Sequence, residues 1–463
     1  MAAHSIVMGC DFFYPRVGGV EQHVWSLAQC LLARGHRVSV VTGRYAAPAR
    51  GGVPRVGVRY MAGGLRVYHL PHLPMADQAS LPTYFALLPL LRAILLRERA
   101  TVAHGHAATS VFTHDFILAA RSLGIAAVYT DHSLFGSQDF ASINVNKYLS
   151  FALRDVQAVI TVSHTARENV CRRADVDAGI VHTIPNAVDA SKFAPPPRAA
   201  AAAPPPPRVV VVMVSRLVYR KGVDLAALVI PRACARWPHV DFVIGGDGPK
   251  RGVLEEMRER WGLAGRVELL GAVPHAGVRD VLVRGAIFLN VSLTESFCIA
   301  ILEAACAGCH VVSTAVGGVP EVLPPHMVTL AAPTPDDVLR ALGEALDKVA
   351  RGVDAQAQHA EVARLYSWPD VAARTAAVYD AVRAAPPLAL SARFLRLARG
   401  GPVFGPITAI LAALVHLMAL LLDVLAPAED MDPAPRLPRD GAAWAGEDGA
   451  LADDEDDERA GAT

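Results

Sequence analysis

The chain has 463 residues, too many for a single hydrophobic core, and 52% of them are hydrophobic, more than the core of an ordinary soluble enzyme absorbs. The formal net charge of zero hides an asymmetry: from Glu429 onward twelve acids face three bases, a net of −9, which leaves +9 on the rest. Such a basic body suits an anionic substrate or membrane surface, though solubility alone explains it equally well.

In chain order, the start "MAAHSIVMGCDFFYP" lacks the basic head and long apolar stretch of a signal peptide and predicts a short buried strand ending at Asp11. The first half then alternates apolar β-branched runs with helical stretches. The runs are "SIVMGC", "HRVSVVTG", "LRVYHLP", "ATVAHGH", "AAVYTDHS" and "QAVITVS". Strands apolar on both faces and separated by helices predict a parallel sheet covered on both sides. Gly18 and Gly19 fall between the first strand and a helix, where bare backbone N–H groups can approach an anion. Their order does not match the Gly-x-Gly-x-x-Gly pattern of dinucleotide binders. Residues 84–100 form an amphipathic segment with a basic end, read either as a helix covering the sheet or as one resting on a bilayer.

Residues 194–208, "APPPRAAAAAPPPPR", are too proline-rich for a packed element and predict an extended linker. The second half repeats the alternation with "RVVVVMVSRL", "VDFVIGGDG", "RVELLGAV", "AIFLNVS" and "HVVSTAVGG". The expected organisation is therefore an α/β chain of two doubly wound Rossmann-like domains, 1–193 and 209–385, with a ligand cleft at the carboxyl ends of the strands.

Arg216 and Lys221 fall between a strand and the next helix, where two cations suit a diphosphate whose negative charge grows as it leaves. A solvated helix start is the plain alternative. Gly246 and Gly248 fit a tight turn near a ligand, or simply a turn. Glu295 follows the strand "AIFLNVS" and is expected in a loop at the cleft, with the helix beginning near Phe297. Glu303 lies about two turns further on, in a helix apolar on nearly all sides. A carboxylate there needs hydrogen-bond donors, and sugar hydroxyls are such donors. One carboxylate would hold the transferred sugar and the other a ribose; the alternatives are a surface charge and a bond to nearby backbone.

The seven cysteines are scattered and odd in number, which argues against a disulfide framework and for a reducing compartment. Cys306 and Cys309 form a Cys-x-x-Cys with no second pair, read as small residues at a helix end and its turn, not as a metal site. No charge occurs between Arg399 and Asp423, and Pro402–Leu422 is long enough to cross a bilayer. Arg393, Arg396 and Arg399 precede this run and acids follow it, so the body is expected in the cytoplasm and the short tail across the membrane. The tail, 429–463, is expected to be disordered. His416, inside the run, faces a neighbouring helix or is tolerated.

In combination, "DFFYPRVGGVEQH", "TDHSLF", "IPNAVD", "VSRLVYRKGVDL", "SLTESFC" and "STAVGGVPEVLP" resemble the retaining glycosyltransferases of the GT-B fold that carry a Glu-x(7)-Glu motif. Within that family the resemblance is to the enzymes that transfer N-acetylglucosamine to phosphatidylinositol, and it runs across about residues 5–385. It implies UDP-N-acetylglucosamine as donor, phosphatidylinositol as acceptor, an endoplasmic reticulum membrane setting, further subunits, and no metal, other cofactor or nucleic acid. It places Gly18 and Gly19 near the donor diphosphate, Arg216 and Lys221 on it, Glu295 on the sugar and Glu303 on the ribose. Gly317 and Gly318 shape a turn. His106 is the candidate beside the reacting sugar, with His132 a second possibility. The segment after His106 departs from the family's serine-rich stretch. Other readings are a related enzyme with another sugar nucleotide or lipid, a catalytically silent scaffold, and a soluble dehydrogenase.

Overall fold

A computed structural model of the chain describes residues 3–14, 18–44, 56–72, 74–76, 79–134, 140–197 and 208–437. Most of the expected linker, 198–207, and the end of the tail, 438–463, lie outside the described residues.

The first half runs β1 Ser5–Gly9, α1 Gly19–Ala33, β2 Arg37–Gly43, β3 Gly57–Met61, β4 Leu65–Leu70, then a two-stranded pair, β5 Pro74–Ala76 and β6 Ala79–Ser80. It continues with α2 Leu88–Arg97, β7 Val102–His106, α3 Val111–Ser122, β8 Ala126–Asp131, α4 Phe140–Leu153, β9 Ala158–Thr161, α5 His164–Ala174 and β10 Val181–Thr183. Its eight-stranded sheet has the order β10-β9-β8-β7-β1-β2-β4-β3. The strand β1, "SIVMG", is buried at every residue, as a strand covered by helices on both faces must be. The pairings are parallel except β3 with β4, which adds an antiparallel edge to the expected parallel sheet.

The second half runs β11 Val209–Val214, α6 Val223–Arg236, β12 Val240–Gly245, α7 Arg251–Arg260, β13 Val267–Gly271, α8 His275–Leu282, β14 Ile287–Asn290, α9 Ile299–Cys306, β15 His310–Thr314 and β16 Val328–Ala331. Its six strands are ordered β13-β12-β11-β14-β15-β16. Five helices follow: α10 Pro335–Ala350, α11 Ala355–Leu365, α12 Trp368–Ala384, α13 Leu390–Ala398 and α14 Phe404–Leu425.

These orders fix where a ligand can sit. In the first sheet β1 has β2 on one side and β7 on the other. In the second, β11 lies between β12 and β14. Each is a point where the winding reverses, and the helices diverge there to leave a crevice at the strands' carboxyl ends. His106 ends β7 and Gly18 and Gly19 follow β1, while Arg216 and Lys221 follow β11 and Glu295 follows β14.

Two features depart from the expected layout. The helix α12, within the expected 209–385 unit, packs on the first sheet: Trp368, Val371, Ala376, Tyr379 and Val382 share one core with Ile6, Met8 and Val24. Nothing in the local pattern of 368–384 shows that the chain crosses back to the first sheet. The start of the tail, expected to be disordered, is held against the first lobe in its described part, 429–437. Ala434 is buried, its N–H donates to the Arg97 carbonyl at 2.7 Å, and Arg37 and Arg66 donate to the carbonyls of Ala434 and Pro435 at 3.1 and 2.5 Å. Four acid-free residues, Pro433–Arg436, interrupt the charge run and let basic side chains bind the backbone.

Segment 84–100 yields α2, which covers the sheet with Leu88, Leu91 and Leu95 buried. All seven cysteines are free thiols. The thiols of Cys306 and Cys309 are both pushed up to about 12 by burial, so neither is a ready thiolate.

Candidate active site

At the second switch point, Gly222 and Gly246 set the geometry. Gly222 has φ +71°, and a Cβ there would lie 1.8 Å from the Val291 carbonyl oxygen, so only glycine lets the "YRKG" turn close on the end of β14. That approach delivers Lys221 to Glu295. Lys221 Nζ donates to Glu295 Oε1 at 2.5 Å, and Ser292 Oγ donates to the same oxygen at 2.8 Å. Gly246, at φ +135°, meets the Ser215 carbonyl in the same way and packs its turn under the Arg216 loop, with Gly248 beside Leu217. Arg216 is exposed and close enough for its charge to act on Lys221.

The electrostatics follow from this packing. Burial alone pulls the Lys221 pKa down, but the charge and hydrogen bond of Glu295 outweigh it, so the ammonium is held above the ordinary lysine value. The carboxylate is thus a built-in counter-ion that keeps Lys221 charged and in place. Cys298, at the start of α9, has its thiol raised to about 12 by burial and then by Glu295, which removes it as a nucleophile.

Glu303 does not join that pair. It sits in α9 and accepts from His275 Nε2 at 3.2 Å. The His275 pKa rises through that hydrogen bond, against the effect of burial. The donor expected for Glu303 therefore exists within the protein: His275, which sequence reading missed.

The first switch point carries a histidine cluster. His106 Nδ1 and His132 Nε2 lie 3.3 Å apart, and the two rings stack at 5.6 Å between centroids. His23, on α1, closes the group, with its ring 4.6 Å from that of His132 and its Nδ1 donating to Asn186 Oδ1 at 2.8 Å. His104 lies 4.1 Å from His106 and is held by Tyr379 Oη and Thr130 Oγ1, each at 2.7 Å. Burial lowers His23 to about 4 and His104 to about 3, and drives His106 and His132 well below the usual histidine value. All four rings are neutral at pH 7. His106 Nε2 is buried with no hydrogen-bond partner among the described residues. His23 was missed because "VEQH" reads as ordinary helix, yet its place four residues after Gly19 puts it on the same helix face. Among the described residues, His23, His106 and His132 are also the set whose nitrogens, within 4.8 Å of one another, could hold a metal ion.

The two halves touch at the site. Ser296 Oγ donates to the His132 carbonyl at 2.5 Å. Glu321 binds the first turn of α5, accepting from His164 N at 2.6 Å, Thr165 N at 2.8 Å and Thr165 Oγ1 at 2.6 Å. A carboxylate on exposed helix N–H groups is favourable, and its pKa is lowered by those bonds despite burial. Gly317 and Gly318 lie in the turn against Glu295 and Ser296, and Gly317 also meets Leu134 of the first half.

Two doubly wound α/β lobes, each with a switch point at the carboxyl ends of its strands, define a GT-B glycosyltransferase. Sucrose-phosphate synthase from Thermosynechococcus elongatus has this fold, with a TM-score of 0.65 over 82% of this chain and 99% of that one at 21% identity. Residues 208–350 match the model of glycosyl transferases group 1, and residues 52–139 that of PIGA (GPI anchor biosynthesis). The chain is 48% identical to a phosphatidylinositol N-acetylglucosaminyltransferase subunit of Arabidopsis thaliana over 93% of its length and 94% of that protein. It is 44% identical to the Homo sapiens protein of the same name over 93% of its length and 87% of that protein. The chain belongs to this family of phosphatidylinositol N-acetylglucosaminyltransferase subunits.

Proposed function

We propose that this chain transfers N-acetylglucosamine from UDP-N-acetylglucosamine to phosphatidylinositol with retention of configuration, the opening step of glycosylphosphatidylinositol anchor synthesis. The observation that carries this reading is the Lys221–Glu295 contact at one switch point, set across the crevice from His106 at the other. The names of its relatives support the donor sugar and the lipid acceptor, and their description as subunits supports a multi-protein complex.

In this reading the donor diphosphate draws Lys221 away from Glu295 and recruits Arg216, and the two fixed cations stabilise UDP as it departs. No metal takes part. Glu295, released from its ion pair, accepts from a sugar hydroxyl. Glu303, shared with His275, holds the ribose. Gly18 and Gly19 let the backbone at the start of α1 approach the diphosphate. His106, neutral and with Nε2 unpartnered, bonds the reacting sugar, and His132 holds His106 in place. The inositol hydroxyl attacks from the face the diphosphate leaves. Lobe closure through Ser296 and Glu321 excludes water.

We place the reaction at the cytoplasmic face of the endoplasmic reticulum, with attachment through α14, the one described helix long and apolar enough to cross a membrane. The test is microsomes expressing the chain with its partner subunits, given labelled UDP-N-acetylglucosamine and phosphatidylinositol. Labelled glucosaminylated lipid is expected. Transfer from a different sugar nucleotide alone overturns the donor, and no transfer by an assembled complex favours a silent scaffold.

A further inference from the structure

Two arginines stand side by side near the end of α5, and the helix turns them to different sides. Arg172 points outward, its side chain 82% exposed, and pairs with Glu168 one turn earlier. Arg173 points inward and is 3% exposed. A guanidinium so buried needs a counter-charge and acceptors for its N–H groups. It finds them at the end of β8. Arg173 Nη2 donates to the Asp131 carboxylate, itself fully buried, and to the Ser133 carbonyl at 3.3 Å. Arg173 Nη1 donates to Asn146 Oδ1, on α4, at 3.4 Å. Asp131 Oδ1 accepts from Ser133 N and from Tyr129 Oη, each at 3.4 Å.

The residue enclosed by these bonds is His132. Arg173 grips the chain one residue before it through a side chain and one residue after it through the backbone. From the second half, Ser296 Oγ donates to the His132 carbonyl itself. The His132 ring stacks on His106 and stands edge-on to His23, and its Nε2 lies 3.3 Å from His106 Nδ1. That distance is already at the long end for a hydrogen bond, so a shift of about 0.5 Å at His132 breaks it. Stability does not account for the arginine. A buried ion pair adds little net stability, because taking both charges out of water offsets their attraction. What the guanidinium supplies is direction: a planar fork of donors at fixed angles, which an ammonium lacks.

We propose that Arg173 is a positioning residue for the transfer reaction. It touches neither donor nor acceptor. It fixes residues 131–133 from behind, so that His132 holds the His106 ring in place and Ser296 closes against a carbonyl that does not yield. The proposal rests on the transferase reading for the reaction it serves, and on the hydrogen bonds alone for the clamp.

The test compares the wild-type chain with Arg173→Lys and with the double variant Arg173→Met/Asp131→Asn, each in full length with its partner subunits in detergent. Lysine keeps a cation beside Asp131 but loses the fork that also reaches Ser133 and Asn146. The double variant removes both charges, so no unpaired ion is left buried to unfold it. Melting temperatures within about 3 °C of wild type are expected for both. KM for UDP-N-acetylglucosamine and for phosphatidylinositol should stay unchanged, and kcat should fall by roughly 10- to 100-fold. Hydrogen exchange read by mass spectrometry should speed up by about ten-fold at 132–134 while the β8 amides before them keep their wild-type rate. Wild-type kcat in the double variant overturns the proposal. So does a raised phosphatidylinositol KM at unchanged kcat, which makes Arg173 an acceptor ligand. Exchange that rises across the whole first lobe, with a lower melting temperature in both variants, overturns it too and makes the pair a folding element. If the wild-type complex transfers nothing, the transferase reading fails, and the exchange rates still decide whether Arg173 clamps His132.

Discussion

Lys221 Nζ and Glu295 Oε1 lie 2.5 Å apart although 74 residues separate them, joined because Gly222 lets its turn touch the end of β14. Lys221→Ala removes a charge stabiliser of the leaving diphosphate, and turnover should fall by about 10²–10³-fold, or roughly 3–4 kcal/mol. Arg216→Ala should fall similarly, while the double variant should fall by less than the product of the two, because both act on one group. Initial rates with saturating donor check this; unchanged rates in both single variants would remove them from the mechanism.

Glu321→Ala deletes the carboxylate that bridges the lobes at the first turn of α5. Because the contact is exposed, its loss should cost about 1 kcal/mol. The expected readout is roughly a five-fold fall in kcat/KM and a larger radius of gyration in solution scattering, with little change in melting temperature. A large loss of stability would make Glu321 a folding residue instead.

The buried histidines make stability depend on pH in one direction. The folded protein keeps His23 and His104 neutral down to about 4 and about 3, and His106 and His132 are lowered too. The unfolded chain protonates histidine near pH 6.5, so it gains protons that the native state refuses. Stability should be level above about pH 7 and fall below 6.5, by about 1.4 kcal/mol per pH unit for each ring that stays neutral. His275, raised by Glu303, works the opposite way, adding stability at low pH that is lost as pH rises through its folded value. One such group does not offset four. Denaturant midpoints at pH 7.5, 6.5 and 5.5 test the sign.

Tyr379→Phe leaves His104 Nδ1 without its partner inside the first core. A buried polar atom so orphaned costs about 1–3 kcal/mol. Urea denaturation of the detergent-solubilised chain should show that loss, with the donor KM unchanged.

Dialysis against a chelator should leave turnover intact. His23 is engaged with Asn186 and His106 Nδ1 with His132, so these hydrogen bonds account for much of the cluster's closeness. Loss of activity restored by a divalent cation would instead assign His23, His106 and His132 a metal.

Much of the fold was legible because its central strands are apolar on both faces: "SIVMG" and "VVVVMV" cannot be anything but covered strands or short buried helices, and their short length and β-branched content decide between those. The edge strands β3, β10 and β16 were not read, since short or half-exposed strands carry little periodicity. Arg216, Lys221 and Glu295 were readable from their places after strands. His23 and His275 were not, because each lies on a helix whose pattern is satisfied without it. Their partners Asn186 and Glu303 are 163 and 28 residues away, and no local rule links them. The Arg92–Asp423 pair, 331 residues apart, is of the same kind, and no local rule links its two members either.

The return of α12 to the first sheet has a consequence for biosynthesis. Trp368, Val371 and Tyr379 leave the ribosome only after every strand of the second sheet, yet they close the core over Ile6 and Met8, which emerged first. The lobe made earliest is therefore the last to be sealed, and its apolar face waits, open to chaperones, through the synthesis of the whole second sheet. A nascent chain halted before residue 368 would carry a finished second lobe and an unsealed first one.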